Sequence, residues 1–206
     1  MVSMDEDLES SLKQIVKPYL DRGRPGDYEH TLRTICYARK LLQHEKGEEI
    51  IVIPTLYLHD IGWSQVNFKD FIKAPSLSQR MNAASVDLHM KHGAVLAKII
   101  LKKLGFSTEM VQIIASIIAV HDKPEDIFAM DNPSATIVLE ADHLDKYGPK
   151  TRIRFENMFG ILLMDQTYKN EIIERLRNGL KSFFRTRTAK SMALKLAKES
   201  GLFTQG

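Results

Sequence analysis

Two strongly apolar segments of this chain each end in a histidine followed by an aspartate, His59-Asp60 and His121-Asp122. A polar group at the rim of a hydrophobic core must be hydrogen-bonded or metal-bound, because burying it without a partner is costly. Adjacent residues within a helix point about 100° apart, so they share one small target only at a helix end. We therefore expect both pairs at helix termini, in a core that several helices build together.

The rest of the sequence also has a helical pattern. Apolar residues recur with the 3.6-residue period from about residue 8 to 19 and from 32 to 42, and glycine or proline separates the segments. The same pattern predicts helices over about 48–60, 85–104, 107–121 and 132–147, with two or three more between 152 and 202. Strand-like alternation of polar and apolar residues is absent from the sequence. The sequence predicts an all-α fold.

Single residues predict where these helices begin and end. Asp27 is expected to cap the second helix, and Pro54 is expected in the first turn of the third. Gly62 is expected to close the third helix in a left-handed conformation, and Gly179 to interrupt a later one. Residues 64–82 are predicted to form a long loop, which raises the question of a lid over the substrate.

The composition limits the classes of function. A chain of 206 residues can bury one core, so we expect a single domain over residues 1–206. A formal net charge of +3 fits a small anionic substrate and does not argue for nucleic acid. The one cysteine, Cys36, excludes an internal disulfide, and no apolar run is long enough to span a bilayer. We expect a cytoplasmic protein without a membrane partner, with a homodimer among the oligomeric states left open.

Histidine and aspartate recur through the predicted helices in a fixed order. Imidazole binds Fe, Mn, Co, Ni and Zn, and carboxylate shifts the preference toward the harder ions. We expect one or two divalent ions, Fe or Mn first, with Co, Ni, Zn and Mg as alternatives. The residues in this order are His30, His59, Asp60, His92, His121 and Asp142.

This order resembles the signature of the HD-domain superfamily of metal-dependent phosphohydrolases: a histidine, then His-Asp, then a distant aspartate, on a helical bundle. The resemblance covers about residues 27–150, with additional helices at both ends. It implies one metal ion held by the four signature residues, His30, His59, Asp60 and Asp142. It implies a second ion held by His92 and His121 with Asp60 bridging, as in the binuclear branch. His89 lies one helical turn before His92, and either could be the ligand.

The resemblance also implies hydrolysis of a phosphoester or phosphoanhydride in a small phosphorylated molecule, with a nucleotide as the first expectation. Two divalent ions about 3.5–4 Å apart lower the pKa of a bridging water and polarise a phosphoryl oxygen. His59 and Asp60 are therefore assigned to catalysis. Cations near the motifs are predicted to bind the substrate: Arg80, Lys123, Lys150 and Arg152, with Lys73 and Arg154 as further candidates.

Two other functions stay open. Binuclear HD proteins include diiron oxygenases that cleave a C–C or C–P bond with the same ligands. A non-catalytic metal- or nucleotide-binding module is the other alternative. Many family members place a lysine, arginine or glutamate shortly after the His-Asp pair, whereas here no charged residue occurs before Lys69. That departure favours the non-catalytic module.

Overall fold

The computed structural model describes residues 4–68, 76, 79, 84–160 and 165–202. Within these residues every regular element is a helix, which confirms the all-α prediction. A 3-10 helix, Ile61–Gln65, follows the third of ten α-helices. The α-helices are α1 (Glu6–Leu20), α2 (Asp27–Leu42), α3 (Glu49–Leu58), α4 (Ala84–Lys103), α5 (Thr108–Ile118), α6 (Pro124–Ala129), α7 (Pro133–Asp145), α8 (Thr151–Phe159), α9 (Gln166–Ser182) and α10 (Arg187–Glu199). None of the described helices has both the length and the apolar character that a bilayer crossing requires.

Helix α3 is the centre of the fold. Its residues from Ile51 to Leu58 are all buried, and α1, α2, α5 and α7 pack around it. Pro54 lies in the middle of this helix, so its predicted place in the first turn is wrong. Burial of the apolar residues on both sides outweighs the local preference of proline for a helix start. The buried helix delivers its last turn, and the residues after it, to the interior.

Gly62 lies where the 3-10 helix meets α4. A Cβ atom on Gly62 would lie 1.9 Å from the carbonyl oxygen of His89 and 2.5 Å from the backbone nitrogen of Gly93. Gly62 is absent from the described glycines with positive φ, so the predicted left-handed cap is wrong. Its missing side chain instead lets two backbones approach closely. This contact determines which face of α4 packs against the end of α3.

Two other local predictions are corrected, and a third falls mostly outside the described residues. The residue that precedes α2 is Gly26, in a left-handed conformation, and the Asp27 side chain accepts hydrogen bonds from Arg24 instead of capping the helix. Gly179 does not interrupt α9 but lies within it. Its missing side chain leaves room for Phe183 and Tyr147, which an added Cβ would meet at 2.7 Å. The predicted loop of residues 64–82 begins inside the 3-10 helix, and most of it lies outside the described residues.

The helices after α7 are tied to the core by a buried carboxylate. Glu140, in the middle of α7, is fully buried. It accepts hydrogen bonds from the backbone N–H groups of Arg185 and Thr186, both at 2.7 Å, and from the Thr186 hydroxyl at 2.6 Å. These bonds satisfy donors at the start of α10, which packs on α7 and α9.

Glu9 joins α1 to its neighbours and makes stability depend on pH. Its carboxylate accepts from the Tyr57 hydroxyl at 2.8 Å and pairs with Arg39 at 2.6 Å. Burial raises the pKa of Glu9, but these partners outweigh burial and lower it to about 2. A carboxylate with a depressed folded pKa stabilises the fold above its unfolded pKa and loses that contribution as pH falls through the folded value.

We expect Glu9→Gln to lower the free energy of unfolding by about 1 kcal/mol at neutral pH, a partly exposed contact being worth less than a buried one. Urea unfolding of wild type and variant at several pH values measures the difference. The difference in the free energy of unfolding should become smaller as the pH falls from 4.5 toward 2. Glu125→Gln replaces an exposed glutamate and should leave the free energy of unfolding unchanged. A Glu9→Gln cost that did not vary with pH would contradict this assignment.

Candidate metal centre

Histidine and aspartate side chains from five helical segments converge in the interior. Two overlapping groups could each hold a metal ion, the first formed by His30, His59 and Asp60 and the second by Asp60, His89 and His121. Within each group the ligand atoms lie within 4.8 Å of one another, and every member is buried. Asp60 belongs to both groups, so two ions bound here would be neighbours.

The first group is completed by Asp142 of α7. Its Oδ1 atom lies 2.9 Å from His30 Nε2 and 3.6 Å from His59 Nε2. On the other side, Asp60 Oδ2 lies 3.2 Å from His59 Nε2 and 3.7 Å from His30 Nε2. The structure therefore brings together the four residues of the HD signature.

The second group uses the other oxygen of Asp60. Asp60 Oδ1 lies 3.7 Å from His121 Nε2 and 3.8 Å from His89 Nε2, and the two histidine nitrogens are 3.4 Å apart. Asp122 Oδ2 lies 3.4 Å from His89 Nε2. The carboxylate of Asp60 thus turns one oxygen to each group, as a bridging ligand would.

His89, and not His92, belongs to the second group. The buried face of α4 carries Val86, His89, Met90 and Gly93, and Gly93 contacts the end of α3. The predicted ligand His92 is exposed. The close contact of α4 with the 3-10 helix sets this rotation, and His89 also stacks on Trp63 with ring centroids 4.2 Å apart.

The histidine hydrogen bonds fit metal binding. His59 Nδ1 donates to the Leu56 carbonyl at 2.7 Å, and His121 Nδ1 donates to the Ile118 carbonyl at 2.8 Å. In the neutral ring the Nε2 atom then carries the lone pair, which is the arrangement of a ligating histidine. The buried Nε2 atom of His59 has no hydrogen-bond partner among the described residues. These donor atoms suit a divalent cation.

The charge around His59 supports the same conclusion. Burial lowers the pKa of His59, but the carboxylates of Asp60 and Asp142 outweigh burial and raise it to about 10. The centre therefore attracts a positive charge at His59 Nε2, which either a proton or a metal ion supplies.

Asp145 orients His30. Asp145 Oδ2 accepts from His30 Nδ1 at 2.7 Å, and Asp145 Oδ1 accepts from Arg33 Nε at 2.6 Å. Burial raises the pKa of Asp145, but His30 and Arg33 hold it below its usual range. The carboxylate is therefore ionised and fixes the ring so that Nε2 faces Asp142.

Asp145→Asn should weaken metal binding by roughly 10- to 100-fold, because the partner that fixes a ligating histidine also raises its basicity. Competition with a chromophoric chelator measures the dissociation constants. Asp131→Asn, at an exposed left-handed position that asparagine tolerates, is the matched control. Equal affinity of Asp145→Asn and wild type would refute this role.

Two arginines that are distant in sequence lie beside Asp60. They supply the positive charge that the residues directly after His59-Asp60 lack. Arg24 donates from Nη2 to Asp60 Oδ2, is held by Asp27 and lies over the Trp63 ring at 4.5 Å. Arg154 Nη2 lies 2.8 Å from Asp27 Oδ1 and 3.8 Å from Asp60 Oδ2. Burial lowers the pKa of Arg24, but Asp27 and Asp60 raise it above its ordinary value. Both guanidinium groups are fixed beside the shared carboxylate.

A cavity lies beside this centre, separated from its ligands by the residues that contact them. Its lining includes Arg24, Lys146, Arg154 and Arg175, together with one acid, Asp122. The Lys146 ammonium lies 3.3 Å from Asp142 Oδ2, so the cations extend from one metal group to the other. The cavity wall is therefore positive next to the candidate ligands.

Two of the cations predicted from sequence lie away from the centre, whereas Arg154, another of them, lies beside Asp60. Lys123 is exposed and pairs with Asp87 of α4 at 2.8 Å, and Lys150 is exposed before α8. Neither lines the cavity. The structure therefore does not bring either exposed side chain to the centre, contrary to the expected placement. Lys73, Arg80 and the side chain of Arg152 lie outside the described part of the chain.

Sequence reasoning missed Arg24 and Lys146. Lys146 follows Asp142 by four residues in one helix, a spacing that places the two side chains together and could have identified it. Arg24 lies 36 residues before Asp60, in the turn between α1 and α2, and no local pattern marks it. The sequence left His89 open as the alternative to His92, and its place on the apolar face of α4 could have decided between them.

A family model described as HD domain matches residues 27–147. The match includes His30, His59-Asp60 and Asp142, as well as His89 and His121 of the second group. No curated protein and no solved structure matches the chain. The matched region is more than half of the sequence and contains the whole metal centre, so the chain belongs to the HD domain family.

Proposed function

We propose that this protein is a metal-dependent phosphohydrolase that acts on a small phosphorylated molecule, with nucleotides as the substrate class to test first. The observation that carries the proposal is a cavity whose cations Arg24 and Lys146 contact Asp60 and Asp142, carboxylates of the two adjacent metal-ligand groups. A phosphate ester needs both, because its charge must be neutralised and its phosphorus must meet an activated water.

The geometry of the two groups supports the following ligand sets. His30, His59, Asp60 and Asp142 would hold one divalent ion, and Asp60, His89 and His121 a second. When bound, such ions supply Lewis acidity that lowers the pKa of a water and neutralises charge on phosphoryl oxygens. Iron or manganese suits this mixture of imidazole and carboxylate.

The chain's own cations would hold the phosphate. Arg154 is buried, and its Nε atom has no hydrogen-bond partner among the described residues. Its Nη2 atom is anchored on Asp27, so the guanidinium is oriented before substrate arrives. A fixed guanidinium with a free donor suits a phosphate oxygen. Arg175, at the exposed edge of the cavity, would attract the anion.

The charges also bear on the two alternatives. The non-catalytic module drew support from the missing charge after His59-Asp60, and Arg24 supplies a cation at that place. The ligands of an oxygenase would be the same. The four cations of the cavity disfavour a neutral polyol as substrate, and measuring oxygen consumption distinguishes an organophosphonate from a phosphate ester. The hydrolase is therefore the function we propose.

The test measures phosphate release by metal-free protein reloaded with Mn²⁺, Fe²⁺ or Co²⁺. The panel contains nucleoside phosphates, sugar phosphates and pyrophosphate, and oxygen consumption is followed in parallel with an organophosphonate or a polyol. We expect phosphate release that requires metal. Bound metal without phosphate release from any substrate would overturn the proposal, and metal-dependent oxygen consumption would favour the oxygenase.

A matched pair of variants on α9 tests the cationic wall. Arg175→Gln should raise KM about tenfold while kcat changes little, because it removes a charge that attracts the anion before the reaction. Arg177→Gln removes an exposed arginine that pairs with Glu174 outside the cavity, and KM should stay unchanged. Equal effects of the two substitutions would contradict the proposed phosphate contact.

A further inference from the structure

The cavity has a second wall that comes from outside the matched HD region. Helices α8 and α9 and the residue that follows α9 contribute the apolar side chains of this wall. We call these residues the apolar wall: Phe155, Met158, Phe159, Ile172, Leu176 and Phe183. The HD region supplies Arg24's partner Asp60 and the lining residue Lys146, and the helices after it supply most of the apolar lining.

The apolar wall is an aromatic surface. Phe155 and Phe159 pack edge-to-face with ring centroids 5.7 Å apart, and Phe183 lies against His143 at 4.0 Å. Aromatic rings prefer such offset and edge-to-face neighbours, so a further ring entering the cavity would find favourable partners. Phe155 is only half-buried and is therefore open to contact.

The polar groups in the rest of the lining belong to charged residues, His143 and Trp63, and Arg24, Lys146 and Arg154 already contact carboxylates. Among the described lining residues none is serine, threonine, asparagine or glutamine, the neutral side chains that both donate to and accept from hydroxyl groups. A hydroxyl group that loses water without gaining a partner costs free energy. Where the substrate meets the apolar wall, an apolar organic part is therefore favoured over one covered with hydroxyl groups.

We propose that the apolar wall binds the organic group of the substrate and selects phosphate esters that carry an aromatic ring. The ring packs on Phe155 while the phosphate lies among Arg24, Lys146 and Arg154 at the metal centre. In a nucleotide the base would pack on the apolar wall. In an aryl phosphate the aromatic ring that carries the phosphate would do so directly. The inference rests on the proposed function of the same site and adds the substrate class.

Binding of two phosphonates to the Mn²⁺-loaded protein tests the wall without turnover. Phenylphosphonate and methylphosphonate share a head group and differ in the ring, and calorimetry gives their dissociation constants. We expect phenylphosphonate to bind about tenfold more tightly, a preference that Phe155→Ala reduces to about twofold. Phe128→Ala, which removes a half-buried ring outside the cavity, should keep the preference. Phe155→Leu, which retains apolar volume, should give an intermediate value.

Equal affinity of wild type for the two phosphonates would overturn the inference, as would equal losses in Phe155→Ala and Phe128→Ala. Hydrolysis separates this failure from failure of the proposed function. Phosphate release from phenyl phosphate and glycerol phosphate at similar kcat/KM would support the proposed hydrolase function and contradict the selection of aromatic esters. Tighter binding of phenylphosphonate without release of phosphate from any ester would support the role of the apolar wall and contradict the proposed hydrolase function.

Discussion

Asp60→Asn is expected to remove both metal ions and to lower kcat/KM for phosphate release on the order of 10⁴-fold. Asp60 is the residue common to both ligand groups, with Oδ2 near His59 and Oδ1 near His121. An amide has one oxygen and no charge, so it can neither bridge two ions nor balance Arg24. Metal analysis of the purified variant and initial-rate kinetics measure the two effects.

The control for this substitution is Asp126→Asn, an exposed aspartate in α6. It changes the net charge by the same amount and should leave both metal content and kinetics unaltered. Circular dichroism should show that Asp60→Asn remains helical. An Asp60→Asn protein that kept two ions, or that lost less than tenfold in kcat/KM, would show that Asp60 is not the shared ligand.

Gly62→Ala is expected to lower the free energy of unfolding by about 3 kcal/mol or more, which for a chain of this size is a fall in Tm of roughly 10 °C. The added Cβ atom would overlap the backbone of His89 and Gly93, and backbone atoms cannot rotate away as a side chain can. Helix α4 must therefore move from the 3-10 helix and take His89 with it. Thermal unfolding and metal content measure the two consequences.

Gly47→Ala is the matched control, since the nearest atom to its added Cβ is the end of the flexible Leu42 side chain at 2.9 Å. It should cost less than about 1 kcal/mol. In Gly62→Ala the second metal ion should be lost before the first, because only the second group uses α4. Two tightly bound ions in Gly62→Ala would contradict the link between this contact and His89.

The sequence predicted the parts of the molecule that depend on neighbours along the chain. Apolar periodicity and the Gly and Pro breaks identify the helices, and the order of His30, His59-Asp60, His121 and Asp142 identifies most of the centre. These side chains sit at helix ends or on buried helix faces, where local pattern and tertiary position agree. Family resemblance and local chemistry therefore pointed to the same residues.

The remaining parts depend on contacts between segments distant in sequence. Arg24 reaches Asp60 only because α1 and α2 fold back on α3, and the role of Gly62 depends on the approach of α4. His89 and His92 differ by a helix rotation that the contact with the 3-10 helix determines. The apolar wall combines α8 and α9 with the HD region, and no pattern within either helix shows that pairing.

Metal content of wild type, His89→Ala and His92→Ala, purified in parallel without chelator and without added metal, tests the two-ion centre most directly. We expect about two ions per chain in wild type and His92→Ala, and about one in His89→Ala, because His89 is buried against Asp60 and His121 while His92 is exposed. Loss of one ion in His92→Ala with two retained in His89→Ala would contradict the assignment. Less than one ion in wild type, with none taken up on reconstitution, would contradict the metal centre itself.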